Sequence, residues 1–122
     1  MRILLADSQP KVRFGLRVLL ERQPGLKIVG EANNVEELSA QMKAGCPDLL
    51  LLGWSLPGLA GAELLSSLRE ACPGLSIIVL SGRPEMRRQA LAAGADAFVC
   101  KCDPPETLLA AIADYPREQH SK

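Results

Sequence analysis

The stretch DLLLLGWSLPGLAG, residues 48–61, decides which fold the sequence predicts. Four consecutive leucines are followed by a glycine, a tryptophan and a Ser-Leu-Pro-Gly turn. A short apolar run bounded by turn residues is typical of a strand that is buried on both faces of a parallel sheet. In such a sheet, the residue directly after a strand lies where ligands bind. The stretch therefore raises the question of why this strand leads into Gly53, which has no side chain with which to do chemistry.

The rest of the chain repeats the pattern, because short apolar runs alternate with helical patterns along its length. Strands are predicted at residues 2–6, 27–32, 48–52, 75–80 and 97–100, and helices at about 10–22, 35–44, 60–71, 84–93 and 105–114. Each helix is followed by Gly or Pro, as a helix stop should be. Strict βα alternation predicts one α/β domain over residues 1–114, a (βα)5 parallel sheet with helices on both faces. Residues 115–122 are polar and are predicted to be a tail or the start of a linker.

Charge and hydropathy exclude several classes of function. Fourteen basic residues balance fourteen acidic ones, so this segment lacks the basic excess expected of a protein that binds nucleic acid directly. No apolar run approaches the roughly 20 residues of a membrane span. The first ten residues do not resemble a signal peptide, because their apolar stretch is short and an acidic residue soon follows. We therefore expect a cytoplasmic protein without a membrane partner.

The four cysteines do not show metal-ligand spacing. Cys46 and Cys72 precede predicted strands, whereas Cys100 and Cys102 lie at the far end of one. A five-residue strand at about 3.3 Å per residue separates these two levels by roughly 16 Å, which one tetrahedral site cannot span. Since thiols in a cytosolic chain are kept reduced, we expect four reduced, structural cysteines.

Several segments resemble the receiver domains of two-component response regulators, the CheY-like family. The resemblance rests on RILLADSQPKVRFGLRVLLE, LLLLGWSLPGLAGAELL, IIVLSG and AAGADAFVCK, and it covers about residues 2–114. The first segment and KIVGEANN are most similar to receivers of the NarL/LuxR transcription-factor branch. The resemblance implies a doubly wound, flavodoxin-like sheet with strand order 2-1-3-4-5. It also implies that a histidine kinase phosphorylates an aspartate at the end of strand 3, with Mg²⁺ held by acidic residues after strand 1.

The resemblance also implies roles for individual residues. Asp7 matches the first acid after strand 1, Ser81 the hydroxyl after strand 4, Lys101 the lysine after strand 5 and Phe98 an aromatic switch position, while Pro57 and Gly61 match the loop after the phospho-acceptor. Two positions depart from the family. Ser8 stands where the second acid should be, and Gly53 stands where the phospho-accepting aspartate should be. The pocket Asp7, Ser8, Gly53, Ser81 and Lys101 is therefore expected to be a vestige of a phosphorylation site.

These departures predict that the usual chemistry is lost. Glycine supplies no attacking oxygen, so residue 53 cannot form an aspartyl-phosphate. Asp7 and Lys101 sum to about zero charge, which removes the electrostatic reason to recruit Mg²⁺. We expect no cofactor, weak or absent Mg²⁺ binding, and Lys101 turned towards Asp7.

Other outcomes at this edge of the sheet stay open. Ser8 or Ser55 could accept a phosphoryl group, although neither has a histidine base nearby. Glu31 could replace a metal ligand or simply be a solvated carboxylate. The space beside Gly53 could admit a small ligand, or neighbouring side chains could collapse into it.

The sequence thus predicts a non-enzymatic regulatory domain that works through a protein partner or as a homodimer, without phosphotransfer from a kinase. It predicts two candidate contact surfaces. On the first helix, Phe14 and Val18 point away from the face that carries Leu16 and Leu20, with Arg17 beside them. The second surface comprises helix 4, strand 5 and helix 5 and includes Arg87 and Arg88. The domain is expected to regulate a DNA-binding transcription factor; the alternatives are a receiver phosphorylated at a non-standard residue and a small-ligand sensor.

Overall fold

The computed structural model describes residues 1–58 and 61–114. The strands are β1 (Arg2–Ala6), β2 (Lys27–Ala32), β3 (Leu49–Gly53), β4 (Ser76–Ser81) and β5 (Ala97–Cys100). The helices are α1 (Pro10–Glu21), α2 (Val35–Ala44), α3 (Gly61–Ala71), α4 (Arg87–Ala92) and α5 (Pro105–Asp114). All strand pairs are parallel and their order is β2-β1-β3-β4-β5, which confirms the predicted fold. The predicted tail, residues 115–122, lies outside the described residues.

The leucine run forms the centre of the sheet. Leu49, Leu50, Leu51 and Leu52 are each at most 1% exposed. The run pairs with β1 on one side and β4 on the other, and successive side chains alternate between two apolar clusters, one on each face of the sheet. A strand buried on both faces reads as a continuous apolar run, which is why the pattern identified it correctly.

Two strand boundaries and one helix differ from the predictions. β3 and β4 each lie one residue further along the chain than predicted, so that Gly53 and Ser81 are the last residues of their strands. The apolar pattern could not reveal this, because the limits of a strand are set by pairing with its neighbours. The predicted helix 84–93 is a 3-10 turn, Pro84–Met86, followed by the short helix α4.

Helix α1 presents the faces that its sequence predicts. Leu20 is fully buried, and Leu16 packs against the same apolar cluster. Phe14 is 69% exposed and Val18 is 39% exposed on the opposite side. The helical period of 3.6 residues therefore placed both faces correctly.

The cysteines form two disulfides, so the prediction of four reduced thiols is wrong. Cys46 bonds to Cys72 and Cys100 bonds to Cys102, with Cα–Cα distances of 5.7 and 5.1 Å that are usual for a disulfide. The prediction relied on the expected compartment and did not consider which sulfurs the fold brings together. The separation into two levels was correct, because each bond joins cysteines at the same end of the sheet.

The described part of the chain has neither a membrane-spanning helix nor a cluster of metal-ligating side chains. No helix in residues 1–58 and 61–114 is long and apolar enough to cross a membrane. Within the same ranges, no group of three or more His, Cys, Asp and Glu side chains is placed to hold a metal ion.

Candidate functional site at the carboxyl edge of the sheet

The carboxyl ends of the strands bring together the residues predicted to form the site. Asp7 follows β1, Gly53 and Ser81 end β3 and β4, and Lys101 follows β5. β3 lies between β1 and β4 in the sheet, so these residues share one edge. Asp7 is only 3% exposed, which makes it a buried carboxylate.

Asp7 and Lys101 form an ion pair, as the sequence predicted. Lys101 Nζ lies 2.8 Å from Asp7 Oδ2, and the same ammonium lies 3.2 Å from Oε1 of Gln9. The other carboxylate oxygen, Oδ1, accepts a hydrogen bond from the backbone N–H of Gln9 at 2.9 Å. Among the described residues no donor makes a well-directed hydrogen bond to Oδ2, so the ion pair with Lys101 is what compensates its burial.

The Asp7 carboxylate fills the space that a side chain at position 53 would occupy. A Cβ atom built on Gly53 would lie 2.9 Å from Asp7 Cγ and closer still to Asp7 Oδ2. Real Cβ atoms essentially never approach so closely, so a side chain at 53 requires Asp7 to move. The structure therefore favours collapse of a neighbour into this space over a cavity for a small ligand.

Ser81 and Lys101 connect the ends of β4 and β5. The Lys101 N–H donates to the carbonyl oxygen of Ser81 at 2.8 Å, and Ser81 Oγ accepts from the N–H of Arg83 at 3.1 Å. Ser81 is 8% exposed. Its hydroxyl thus shapes the start of the loop that follows β4, beside the Asp7–Lys101 pair.

The residues present do not fit a magnesium ion. Mg²⁺ needs near-octahedral oxygen ligands and is usually held by one or two carboxylates. In the predicted pocket, the Asp7 carboxylate is already paired with Lys101 and accepts from the Gln9 N–H. Ser8, at the position of the second acid, is partly buried and offers only a hydroxyl.

Both carboxylate oxygens of Glu31 are engaged by arginines, which corrects the reading of this residue as a simply solvated carboxylate and disfavours a role as a metal ligand. Its two carboxylate oxygens pair with Arg13, at 2.9 Å, and with Arg17. Burial raises the pKa of Glu31, but the hydrogen bonds from Arg17 and Arg13 together outweigh it, so the pKa lies below its ordinary value. In turn, the hydrogen bond to Glu31 raises the pKa of Arg17. Arg17, a predicted partner contact, therefore has its guanidinium engaged within the chain.

Phe98 and Arg87, predicted separately, contact each other. Phe98 is 4% exposed in β5, and the guanidinium carbon of Arg87 in α4 lies 5.2 Å from the centre of its ring. A cation over an aromatic face at this distance is attractive. Arg88, the next residue, is exposed.

Sequence reasoning missed Gln9 and Arg13 as parts of this edge. Arg13 donates to the carbonyl oxygen of Asp7 at 2.5 Å and to Oδ1 of Asn33, also at 2.5 Å. The available signal was helical spacing, since Arg13 and Arg17 are four residues apart on one face of α1. That face meets the carboxyl end of β2, where Glu31 and Asn33 lie.

Comparison with known proteins identifies the family. Residues 3–113 match the response regulator receiver domain. The chain is 38% identical over 112 residues to the nitrate/nitrite response regulator protein NarL of Escherichia coli K12, covering 90% of this chain and 52% of that protein. It therefore spans about half the length of this curated relative.

Solved structures show the same similarity. A LuxR-family two-component response regulator from Aurantimonas superposes with a TM-score of 0.83 at 32% identity, covering 93% of this chain and 82% of that one. RcsB from Salmonella enterica bound to promoter rprA superposes with a TM-score of 0.85 at 29% identity, covering 93% of this chain and 59% of that one. The chain belongs to the response regulator receiver domain family.

Proposed function

We propose that this chain is an atypical receiver domain that signals through protein contacts or dimerisation, without phosphorylation of an aspartate. The observation that supports this most strongly is at the end of β3. Gly53 stands where the family resemblance places the phospho-acceptor, and the Asp7 carboxylate fills the space of the missing side chain. Phosphoryl transfer requires an attacking oxygen in line with the phosphorus, and position 53 supplies none.

The same arrangement supports a non-enzymatic role with weak or absent Mg²⁺ binding. A metal ion would have to compete with the Lys101 ammonium, 2.8 Å from Asp7 Oδ2, for one buried carboxylate. Asp7 and Lys101 together carry about zero net charge, so the pair offers little attraction to a cation. Titration of the chain with Mg²⁺, followed by Trp54 fluorescence, should give no saturable change at micromolar concentrations.

Intact-mass spectrometry after treatment with acetyl phosphate and Mg²⁺ tests the proposal. The native chain should gain no phosphoryl group. A receiver domain that carries the family's aspartate, treated alongside, should gain one. A phosphorylated native chain would overturn the proposal, and peptide mapping would then identify the acceptor, with Ser8 and Ser55 the first positions to inspect.

The double variant Ser8→Asp, Gly53→Asp is the matched test within this chain. It restores the two acids of the family pattern. With three carboxylates at the site, Mg²⁺ would compete with the Lys101 ammonium for Asp7. We expect this variant to gain a phosphoryl group where the native chain does not. Phosphorylation of both to the same extent would place the acceptor elsewhere and contradict the role assigned to Gly53.

We further propose a cytoplasmic role as the regulatory part of a DNA-binding transcriptional regulator. The similarity to NarL, a response regulator, and to RcsB, solved on a promoter, supports this output. The chain itself has zero formal net charge, so we assign DNA contact to another domain. A partner protein or a second copy of the chain would then carry the signal that phosphorylation carries elsewhere in the family.

The exposed apolar pair Phe14 and Val18 on α1 is the first proposed contact surface. Phe14→Asp should weaken self-association or partner capture without lowering the melting temperature, because the side chain is 69% exposed. Leu91→Asp is the matched variant on the competing surface, since Leu91 is 40% exposed on α4. Sedimentation velocity of both variants measures self-association, and a loss of association in Leu91→Asp but not in Phe14→Asp would exclude the α1 surface.

The surface formed by α4, β5 and α5 is the competing contact surface. Arg88 is exposed there, whereas Arg87 is held over the buried ring of Phe98. The affinity of a partner that binds this surface would therefore depend on the position of the Phe98 ring, because Arg87 lies over that ring. Arg88→Glu should weaken association if this surface is used, and the α1 surface predicts no change.

A further inference from the structure

Cys100 and Cys102, the two neighbours of Lys101 in the sequence, are joined by a disulfide. The two cysteines are separated by a single residue and follow directly from β5. Cys102 is exposed, whereas Cys100 is 5% exposed. We propose that this disulfide is a reversible thiol–disulfide exchange site, and that its redox state acts on Lys101.

The surroundings of the two sulfurs favour attack at one of them. Exchange begins when a thiolate attacks one sulfur and expels the other, and it is faster when the expelled sulfur is a stabilised thiolate. Cys102 is the accessible member of the pair. The backbone N–H of Cys102 lies 3.3 Å from Cys100 Sγ and donates to it, which stabilises negative charge on the departing sulfur.

The proposed reaction uses a small-molecule thiol or a protein dithiol as the reductant. Its thiolate bonds to Cys102 Sγ, the bond between Cys102 and Cys100 breaks, and Cys100 leaves as a thiolate that takes up a proton. A second thiolate then attacks the mixed disulfide and releases Cys102. The cysteine pair gains two electrons and two protons, and two reductant thiols become one disulfide. An oxidised disulfide of the same class reverses the reaction.

The turn around these cysteines does not depend on the bond between them. The N–H of Asp103 donates to the Cys100 carbonyl at 2.9 Å, and the Cys100 N–H donates to Asp103 Oδ2 at 3.2 Å. The backbone N–H of Lys101 donates a hydrogen bond to the carbonyl oxygen of Ser81. Reduction should therefore open the disulfide locally and leave the fold in place, as a reversible site requires.

The second disulfide provides an internal comparison, because its exposed member, Cys46, is open to attack, but its buried member, Cys72, has a thioether neighbour where Cys100 has a backbone N–H donor. Cys72 is 1% exposed, and its Sγ lies 4.0 Å from Sδ of Met42 within the apolar core. A thiolate leaving from Cys72 would be desolvated in apolar surroundings, which disfavours it. We therefore expect the bond between Cys46 and Cys72 to resist the reductant that opens the other.

Lys101 connects this redox site to the candidate functional site. Its backbone is part of the small ring that the disulfide closes, and its ammonium lies 2.8 Å from Asp7 Oδ2. Opening the ring gives the Lys101 backbone more rotational freedom, and the ion pair with Asp7 should loosen. This coupling does not depend on whether any residue of the chain is phosphorylated.

The exchange is tested by equilibrating the full chain in a series of buffers with different ratios of reduced to oxidised glutathione. Each sample is quenched with iodoacetamide and analysed by peptide mass spectrometry. Trypsin cleaves after Lys101, so the oxidised site gives two peptides joined by the disulfide and the reduced site gives two separate alkylated peptides. We expect half-reduction of the Cys100–Cys102 pair at a glutathione ratio, [GSH]²/[GSSG], at least tenfold lower than that for Cys46–Cys72. Coincident reduction of the two pairs, or the reverse order, would overturn the proposal.

Two single variants separate the sites. Cys102→Ser should abolish exchange at position 100 and leave the reduction of Cys46–Cys72 unchanged, and Cys46→Ser should do the converse. If Cys102→Ser also shifts the reduction of Cys46–Cys72, the two bonds are not independent and the assignment fails.

The effect on Lys101 is measured by its rate of acetylation with acetic anhydride in the oxidised and the reduced chain. Lys27, exposed at the other end of the sheet, is the internal reference. Reduction should speed acetylation of Lys101 at least twofold relative to Lys27. Equal relative rates in the two states would overturn the coupling to Lys101.

Discussion

Aspartate residues at the two ends of the sheet differ in the partners of their carboxylate oxygens. At the amino ends of the strands, Asp48 Oδ2 accepts from the backbone N–H of Arg2 at 2.8 Å. Asp96 Oδ2 accepts from the N–H of Ile77 at 2.7 Å and from Arg69 at 3.0 Å. At the carboxyl ends, Asp7 Oδ1 accepts from the Gln9 N–H, but among the described residues no backbone N–H donates to the buried Asp7 Oδ2, which depends on Lys101.

This difference indicates which end of the sheet is held by the more extensive contacts. The carboxylates at the amino end bond to the starts of strands, and a disulfide there joins residues 26 positions apart. The carboxyl end is held by an ion pair, short loops and a disulfide that spans two positions. Removing the disulfide at the amino end should therefore reduce global stability more than removing the one at the carboxyl end.

The largest expected effect is the loss of the long-range disulfide. Cys46→Ser removes a cross-link between residues 26 positions apart, and the chain-entropy relation predicts a loss of about 3.5 kcal/mol in the free energy of unfolding. Cys46 is the exposed member of the pair, so the change leaves no polar group in the core. Urea unfolding under non-reducing conditions measures the loss.

Cys102→Ser is the matched variant at the other end. It opens a ring with one intervening residue, for which the same relation gives no more than about 1.5 kcal/mol. Equal losses from the two variants would remove the contrast between the ends of the sheet.

An effect smaller than that of Cys46→Ser is expected when a methyl group is added to Gly53. Gly53→Ala forces the Asp7 carboxylate out of its place beside the new Cβ, and overpacking of this kind costs about 2 kcal/mol. Gly15→Ala is the control, because nothing lies within 4 Å of a Cβ there. Alanine in place of this helical glycine should stabilise the chain by about 0.5–1 kcal/mol. Thermal and urea unfolding of both variants provide the measurement.

A double-mutant cycle tests whether Asp7 causes the cost at Gly53. With Asp7→Ala in the background, the added methyl group has space, so most of the cost of Gly53→Ala should disappear. Additive costs in the double variant would show that Asp7 is not the obstructing group.

The sequence predicted much of this arrangement because strand position alone determines it. In a parallel sheet, Asp7, Gly53, Ser81 and Lys101 reach one edge whatever their side chains do. The burial of Leu49–Leu52 follows equally from the apolar run. Residue spacing along strands and helices is a local property, and local properties can be read from one sequence.

The features that were missed depend on tertiary contacts. The pairing of Cys46 with Cys72 requires two chain segments to meet before β3 and β4, which no spacing in the sequence encodes. Likewise, Glu31 is paired only because α1 packs over the end of β2 and brings Arg13 and Arg17 to it. The one-residue shift of β3, which makes Gly53 part of the strand, has the same origin in pairing with β4.

The smallest effect concerns Glu31 and its dependence on pH. The hydrogen bonds from Arg17 and Arg13, acting against burial, hold the pKa of Glu31 below its ordinary value of 4.5 when the chain is folded. A carboxyl group whose pKa is lower in the folded state adds stability above its unfolded pKa. That contribution is lost as the pH falls through the folded value, below about pH 4.5.

Glu31→Gln isolates this contribution. Near neutral pH the variant should be less stable by about 1 kcal/mol, the scale of a partly exposed ion pair, and high salt should reduce the difference. Because glutamine does not titrate, the difference should shrink as the pH falls below about 4.5, where native Glu31 also becomes neutral. Urea midpoints at neutral and acidic pH measure it. If the stability difference between the native chain and Glu31→Gln stays constant with pH, Glu31 contributes by packing. Packing would then stabilise the carboxyl edge of the sheet more than ion pairing does.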